Sequence, residues 1–257
     1  MYFLKFSPEY TGINKKIINV LVSVFLVFAL SLSASAFADY EKDVSKELYS
    51  DLDQKYEIND FSSESLEYKT LKKLENNVTK KGFKNSEFKV HHVEDEMINA
   101  YYIGNGNIML FEGLLDQLNT EDQLAGLIAH EMGHGIEKHM TEDMRRNTGL
   151  TVLNLLFNHF TDNEYQTVTN IAHNLINNGF SREQEEEADK YAVDLMLRSG
   201  YDPQGLIALM RIFKENSNNP RFLEFMQTHP APESRIEYLE EYIAEQKKKK
   251  KNKKIDN

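Results

Sequence analysis

The sequence predicts an α+β fold that is mostly helical, with a few short strands beside a central helix. Apolar residues recur at three- and four-residue spacing over much of the chain after Ser65, the mark of amphipathic helices. Alternating β-formers are confined to residues 88–111, where Gly104-Asn105-Gly106-Asn107 punctuates them as a hairpin. At 257 residues the chain can build one sizeable core, and no internal repeat divides it.

Taken in order, the amino end reads as a targeting segment. Lys15 and Lys16 precede an apolar run from Val20 to Leu30, and Ser and Ala then lead to Ala36-Phe37-Ala38 before Asp39. These features predict a secretory signal peptide over residues 1–38, cleaved after Ala38, and hence an exported, extracytoplasmic chain. The rival is an uncleaved N-terminal membrane anchor, but the apolar core is short for that and serines interrupt its second half. No later segment is apolar enough to span a bilayer. Residues 39–62 predict a polar helical extension, an accessory element with Leu48 and Leu52 as modest contacts. Residues 65–81 predict a helix striped by Leu66, Leu71, Leu74 and Val78 and stopped at Lys80-Lys81-Gly82. Residues 88–93 alternate as a strand, and residues 100–103 and 108–111 form the arms of the hairpin.

The central helix follows directly. Thr120 is an N-cap with Gln123 three residues on, so the helix begins near Glu121 and runs past His139. Leu124, Ile128, Met132 and Ile136 lie on the side away from His130 and His134. Gly126 and Gly133 cost helix propensity, which is tolerable where another backbone or a substrate approaches closely. Residues 149–178 predict one or two Asn-rich helices in which His159 and His173 are ordinary polar positions. Helices over residues 202–216 and 232–246 close the body, and residues 247–257 predict a Lys-rich disordered tail.

Composition narrows the chemistry. Cysteine is absent, which removes disulfides, lipid-modified cysteine and thiolate metal ligands. Residues 1–38 carry three Lys against one Glu and residues 247–257 seven Lys against one Asp, so the net charge of −11 leaves the body between them strongly acidic. Such a body argues against nucleic acid as substrate. The Lys-rich end reads as a solubilising tail, with contact to an anionic lipid or wall polymer as its rival.

The chemistry itself is written in His130-Glu131-Met132-Gly133-His134. Four residues apart on a helix, the two imidazoles share a face and can bind one Zn²⁺, with the Glu131 carboxylate placed to act as a general base. A catalytic zinc needs a third protein ligand, and here it must be His or carboxylate. Four glutamates follow Ser181-Arg182: Glu183, Glu185, Glu186 and Glu187. On a helical projection Glu185 sits at the centre of the stripe made by Ala188, Ala192, Leu195 and Met196, and the other three fall off it. A carboxylate aimed into a core needs a cation, which selects Glu185. Asp189, one turn on, is placed to accept the spare N–H of a zinc-bound histidine. Arg182 either neutralises part of the acidic cluster or contacts Asp189; both readings stand.

With these residues in place, the chain resembles the HtpX-like zinc metallopeptidases, family forty-eight of the metallopeptidases. That group includes the CaaX prenyl endopeptidases and the mitochondrial and bacterial envelope quality-control proteases. The resemblance runs from about Asn99 to Leu239. It takes in Asn99-Ala100, Gly113-Leu114-Leu115, residues 121–125, the His130–His134 motif, Ser181-Arg182 with Glu185 and Ala188-Asp189, Thr228-His229-Pro230, Arg235-Ile236 and Leu239. It implies a gluzincin fold, a small edge-exposed sheet beside an active-site helix, and a zinc metallopeptidase domain over residues 63–246. It further implies one zinc per chain on His130, His134 and Glu185, with Glu131 as general base. His229 matches a histidine that looks like a reversible fourth ligand gating the site, or else an oxyanion stabiliser. The implied activity is hydrolysis of peptide bonds in unfolded or damaged envelope or secreted proteins. An extended substrate would pair with a strand at residues 100–103 or 108–111. Prenylated substrates are not expected, because the internal spanning segments of the membrane-embedded members are missing. The rival reading is a proteolytically silent, zinc-containing, chaperone-like binding protein, against which the intact Glu131 argues; a wall-associated interaction protein rests on the Lys tail alone.

Overall fold

A computed structural model describes residues 34–79, 88–146, 179–230 and 232–255. The chain divides into two units, Met1–Asp39 and Tyr40–Asn257. The expected signal segment lies almost wholly outside the described residues, as do the Asn-rich helices with His159 and His173. The fold is α+β and mostly helical, as expected.

Helix α1, Ala34–Lys55, starts before the expected cleavage point. It is no accessory. Val44 and Leu48 are fully buried, Ser45 donates its hydroxyl to the Gly104 carbonyl at 2.9 Å, and Glu41 accepts from the Tyr102 hydroxyl at 3.0 Å and the Asn105 amide at 3.1 Å. Nor are residues 39–62 helical throughout, because Glu57–Asp60 forms strand β1. Its sequence, Glu-Ile-Asn-Asp, lacks an apolar alternation because it is an outer strand with mostly exposed side chains. Cross-strand polar contacts hold it: Asp60 to the His91 ring at 2.8 Å and Asn59 to Glu94 at 3.2 Å.

After α2, Leu66–Glu75, come β2, Lys89–Glu94, β3, Ala100–Tyr102, and β4, Asn107–Phe111. The sheet order is β1-β2-β4-β3. The expected hairpin is β3–β4, antiparallel with Tyr101 opposite Met109, and Asn105 takes a positive φ of 48° in its turn. β2 pairs parallel to β4, with Val90 beside Ile108, and antiparallel to β1. Among the described residues β3 is therefore a sheet edge, while β4 is paired on both sides.

A single turn, α3, Glu112–Leu115, leads to the central helix α4, Glu121–Glu137. Thr120 and Gln123 form the expected capping box. The helix does not run past His139: Lys138 turns left-handed at φ 63°, and a second helix, α5, begins at residue 139 and continues through 146. α4 packs against α6, Arg182–Ser199, α7, Gln204–Glu215, and α2, with β3 and β4 alongside. Gly126 and Gly133 on α4 are explained by close backbones. A Cβ on Gly126 would stand 3.0 Å from the Leu206 Cα, and one on Gly133 would stand 2.9 Å from the Ala188 carbonyl oxygen.

The chain closes through a 3₁₀ turn, Pro220–Phe222, the short α8, Leu223–Thr228, and α9, Pro232–Ile255. α9 passes its expected end near Gln246 and takes up most of the tail expected to be disordered. Lysine is a good helix former, and cations suit the carboxyl end of a helix. Lys247 reaches Asp202 at 3.2 Å, Lys249 pairs with Glu245 at 2.7 Å and Lys250 donates to the Leu197 carbonyl at 3.1 Å. Among the described residues no helix is long and apolar enough to cross a membrane.

Candidate active site

Two helices and one loop bring the expected residues together. α4 carries His130, Glu131 and His134, α6 carries Glu185 and Asp189, and His229 follows α8. The capping box of Ser181 and Gln184 starts α6 so that Glu185 lies in its first turn, facing α4 across the Gly133–Ala188 approach. All six side chains are buried.

The donor atoms converge. His130 Nε2 and His134 Nε2 are 3.0 Å apart, and Glu185 stands 3.6 Å from the first and 3.3 Å from the second. His229 Nδ1 is 3.3 Å from His130 Nε2 and 3.0 Å from Glu185 Oε1. One atom from each of the four falls within 4.8 Å of all the others. A tetrahedral zinc with bonds near 2.0–2.1 Å has edges of about 3.3 Å, so the set has the size and the N/O chemistry that zinc takes.

Among the described residues Glu131 is hydrogen-bonded through one oxygen only. Its Oε2 accepts the Tyr102 amide of β3 at 2.8 Å, whereas Oε1 is buried without a hydrogen-bond partner among them, 3.6 Å from His229 Nε2. A buried carboxylate oxygen left open beside four converging donors is what a general base needs and a structural site does not.

The surrounding groups fix tautomers and charge. Asp189 Oδ1 is 2.9 Å from His130 Nδ1, placing the proton there and leaving the Nε2 lone pair free. Asp189 is in turn clamped by Arg235, from Nε at 2.8 Å and Nη2 at 2.7 Å, and by the Tyr238 hydroxyl. Arg235 also reaches Glu185. Burial by itself would raise the Glu185 carboxyl, but Arg235 and the neighbouring histidines override it and hold it well below the ordinary range. Asp189 is depressed by the same contest, with Arg235 and His130 outweighing burial. Burial dominates at His134 and pushes its imidazole well below the usual value, which keeps it neutral. At His229 burial is outweighed by the Glu185 and Glu131 charges, and the value rises.

Arg182, open to two readings, is exposed, and the cation between the carboxylates is Arg235. Glu183 is exposed and Glu186 half-buried, but Glu187 is not simply solvated, since it lies 3.1 Å from His139 Nε2. Phe180 stacks on His134 at 3.7 Å between centroids, and Phe225 stacks on His229 at 4.7 Å. Beside this wall a cleft lined by Leu48, Tyr101, Tyr102, Met140, Phe180 and His229 adjoins the donor cluster. Arg235 was legible: it lies on the face of α9 that buries Leu239 and Ile243, so the argument that selects Glu185 also selects its cation. His139 was not, because five residues past His134 on an unbroken helix it would point away from the site.

The model of Peptidase family M48 matches residues 66–243. The mitochondrial metalloendopeptidase OMA1 of Schizosaccharomyces pombe is 28% identical over 215 residues, covering 80% of this chain and 62% of that protein. The β-barrel assembly-enhancing protease of Escherichia coli K12 is 28% identical over 157 residues, 56% of this chain and 32% of its own. Metalloprotease LoiP of the same strain is 26% identical over 230 residues, 84% of this chain and 87% of its own. The chain thus spans less than two thirds of the first two relatives and most of the third. From the extent of the family match, with the donor cluster and the Glu131 carboxylate beside it, the chain belongs to peptidase family M48, whose members are zinc-dependent metallopeptidases.

Proposed function

We propose that this chain is a zinc metalloendopeptidase that cuts unfolded or flexible polypeptides outside the cytoplasm. The observation that carries the reading is Glu131, one oxygen anchored by the Tyr102 amide and the other free beside the four donors. His130, His134 and Glu185 hold the zinc, Asp189 orients His130, and His229 is a displaceable fourth donor. Zinc bound there supplies a Lewis acid for the scissile carbonyl and acidifies water.

The chain's own residues do the rest. Glu131 Oε1 takes the proton of the attacking water and delivers it to the leaving amine, while the Tyr102 amide keeps the carboxylate aimed. His229 moves off the cluster to admit substrate, and its Nε2 side, facing Glu131, is then free to donate to the developing oxyanion. Substrate binds as an added strand. Of the two strands suggested by the sequence, β3 is the one at the sheet's edge among the described residues, and its Tyr102 amide meets Glu131 on α4. An extended chain fits such an edge and a folded one does not, which supports unfolded substrates. Export is supported by the basic, apolar and Ala-rich order of residues 15–38.

The expected result is cleavage of an unfolded test protein that stops with chelator and returns with zinc. A protein that holds one zinc, binds the unfolded chain and never cuts it would establish the chaperone-like reading instead. Glu185→Ala is expected to lose stoichiometric zinc; retention would move the third ligand elsewhere on α6.

A further inference from the structure

The two histidines of the motif are backed differently. His130 rests on the buried, Arg235-clamped carboxylate of Asp189. His134 rests on another histidine: its Nδ1 is 2.9 Å from Nδ1 of His139, whose Nε2 is 3.1 Å from Glu187 Oε2. His139 is completely buried, while the Glu187 side chain is 63% exposed. The left-handed Lys138 makes this contact by ending α4 one residue earlier and turning His139 back beneath His134.

Only one proton arrangement satisfies this chain. With Nε2 of His134 in the donor cluster, its single proton is on Nδ1. His139 Nδ1 must then accept, since two N–H groups facing each other at 2.9 Å would repel. The proton of His139 is left on Nε2, and the Glu187 carboxylate can only accept it. We propose that His139 is the positioning residue of His134, holding its ring and tautomer for zinc, and that Glu187 sets His139 in the accepting tautomer. This rests on His134 being a zinc ligand. It gives Glu187, a residue off the apolar stripe of α6, a task at the metal centre that it performs from the protein surface.

Zinc affinity of the full chain, measured by competition with a chromophoric chelator, tests it without reference to proteolysis. His139→Phe keeps an aromatic ring but offers no acceptor, and is expected to lose about 10- to 100-fold in zinc affinity. His139→Asn places an amide oxygen close to where Nδ1 stood and is expected to restore most of the loss. Glu187→Ala, a change at an exposed position that the fold tolerates, is expected to weaken zinc less, and to have no effect when His139 is already Asn, since the acceptor no longer depends on a tautomer. Zinc binding in His139→Phe equal to wild type, or an equal cost of Glu187→Ala in both backgrounds, overturns the proposal. His134→Ala separates the two levels: its loss of zinc establishes the ligand, so that an unaffected His139→Phe then overturns the positioning role alone.

Discussion

Arg235 shows how much of the site a single residue organises. It faces Glu185 and Asp189 at once, so two carboxylates and a guanidinium are buried together between α6 and α9. Removing one partner of such a set leaves an uncompensated charge in the core, which costs about 3–5 kcal/mol. Arg235→Met is therefore expected to lower the urea midpoint of the metal-free protein by that equivalent, and a change under about 1 kcal/mol would mean that water reaches the carboxylates. At this scale the sequence was informative where burial could be read from a stripe: Glu185 and Asp189 are buried on one face of α6, with Asp189 against His130, whereas His229 lies on no such stripe and enters through the family resemblance. His139 escaped because its position depends on a backbone conformation that Lys138 does not advertise.

That conformation belongs to the element scale. A lysine in the left-handed region costs roughly 1–2 kcal/mol relative to its favoured conformations, and glycine is free of that penalty though it adds unfolded-state entropy. Lys138→Gly is expected to stabilise the protein by about 1 kcal/mol with zinc binding retained, read from thermal unfolding. A net loss would show that the Lys138 side chain contributes more than the strain. The carboxyl half of α9 is helical although its Lys runs carry no apolar periodicity, because lysine favours helix once a nucleus exists. Its tether at Asp202 should be weak and pH-dependent. Slight burial would raise the Asp202 carboxyl, but the Gln204 amide and Lys247 outweigh it and the value falls. A group depressed in the folded state contributes stability above its unfolded value, near pH 4, and loses it as the pH drops further. Removing residues 247–257 is thus expected to cost at most about 1 kcal/mol at pH 7 and less at pH 3, measured by urea titration. A larger cost at pH 3 would contradict the tether.

At the scale of the molecule, the sheet and residues 40–55 of α1 are one structure. The amino-terminal helix reads as accessory in the sequence because its apolar positions are few, but Val44 and Leu48 are fully buried, and the hairpin turn hangs on Glu41 and Ser45. Leu48→Ala is expected to cost about 2–5 kcal/mol by leaving a cavity in the core beside the active-site cleft. A cost below 1 kcal/mol would return α1 to the rank of an appendage. The hairpin and the central helix were legible from turn chemistry and capping; the parallel β2–β4 pair and the polar β1 were not, since neither leaves a local pattern. β3, Glu131 on α4 and Glu185 on α6 meet at one site through the packing of α4 on α6 and the bond from the Tyr102 amide to Glu131, contacts far apart in sequence.

The most direct test of the account is Glu131→Gln, assayed for zinc content and for cleavage of an unfolded protein side by side. With Glu131 as the base, the expected result is one zinc per chain, as in the wild type, with hydrolysis reduced by about 10²–10⁴-fold. Wild-type cleavage by Glu131→Gln with its zinc in place would contradict it.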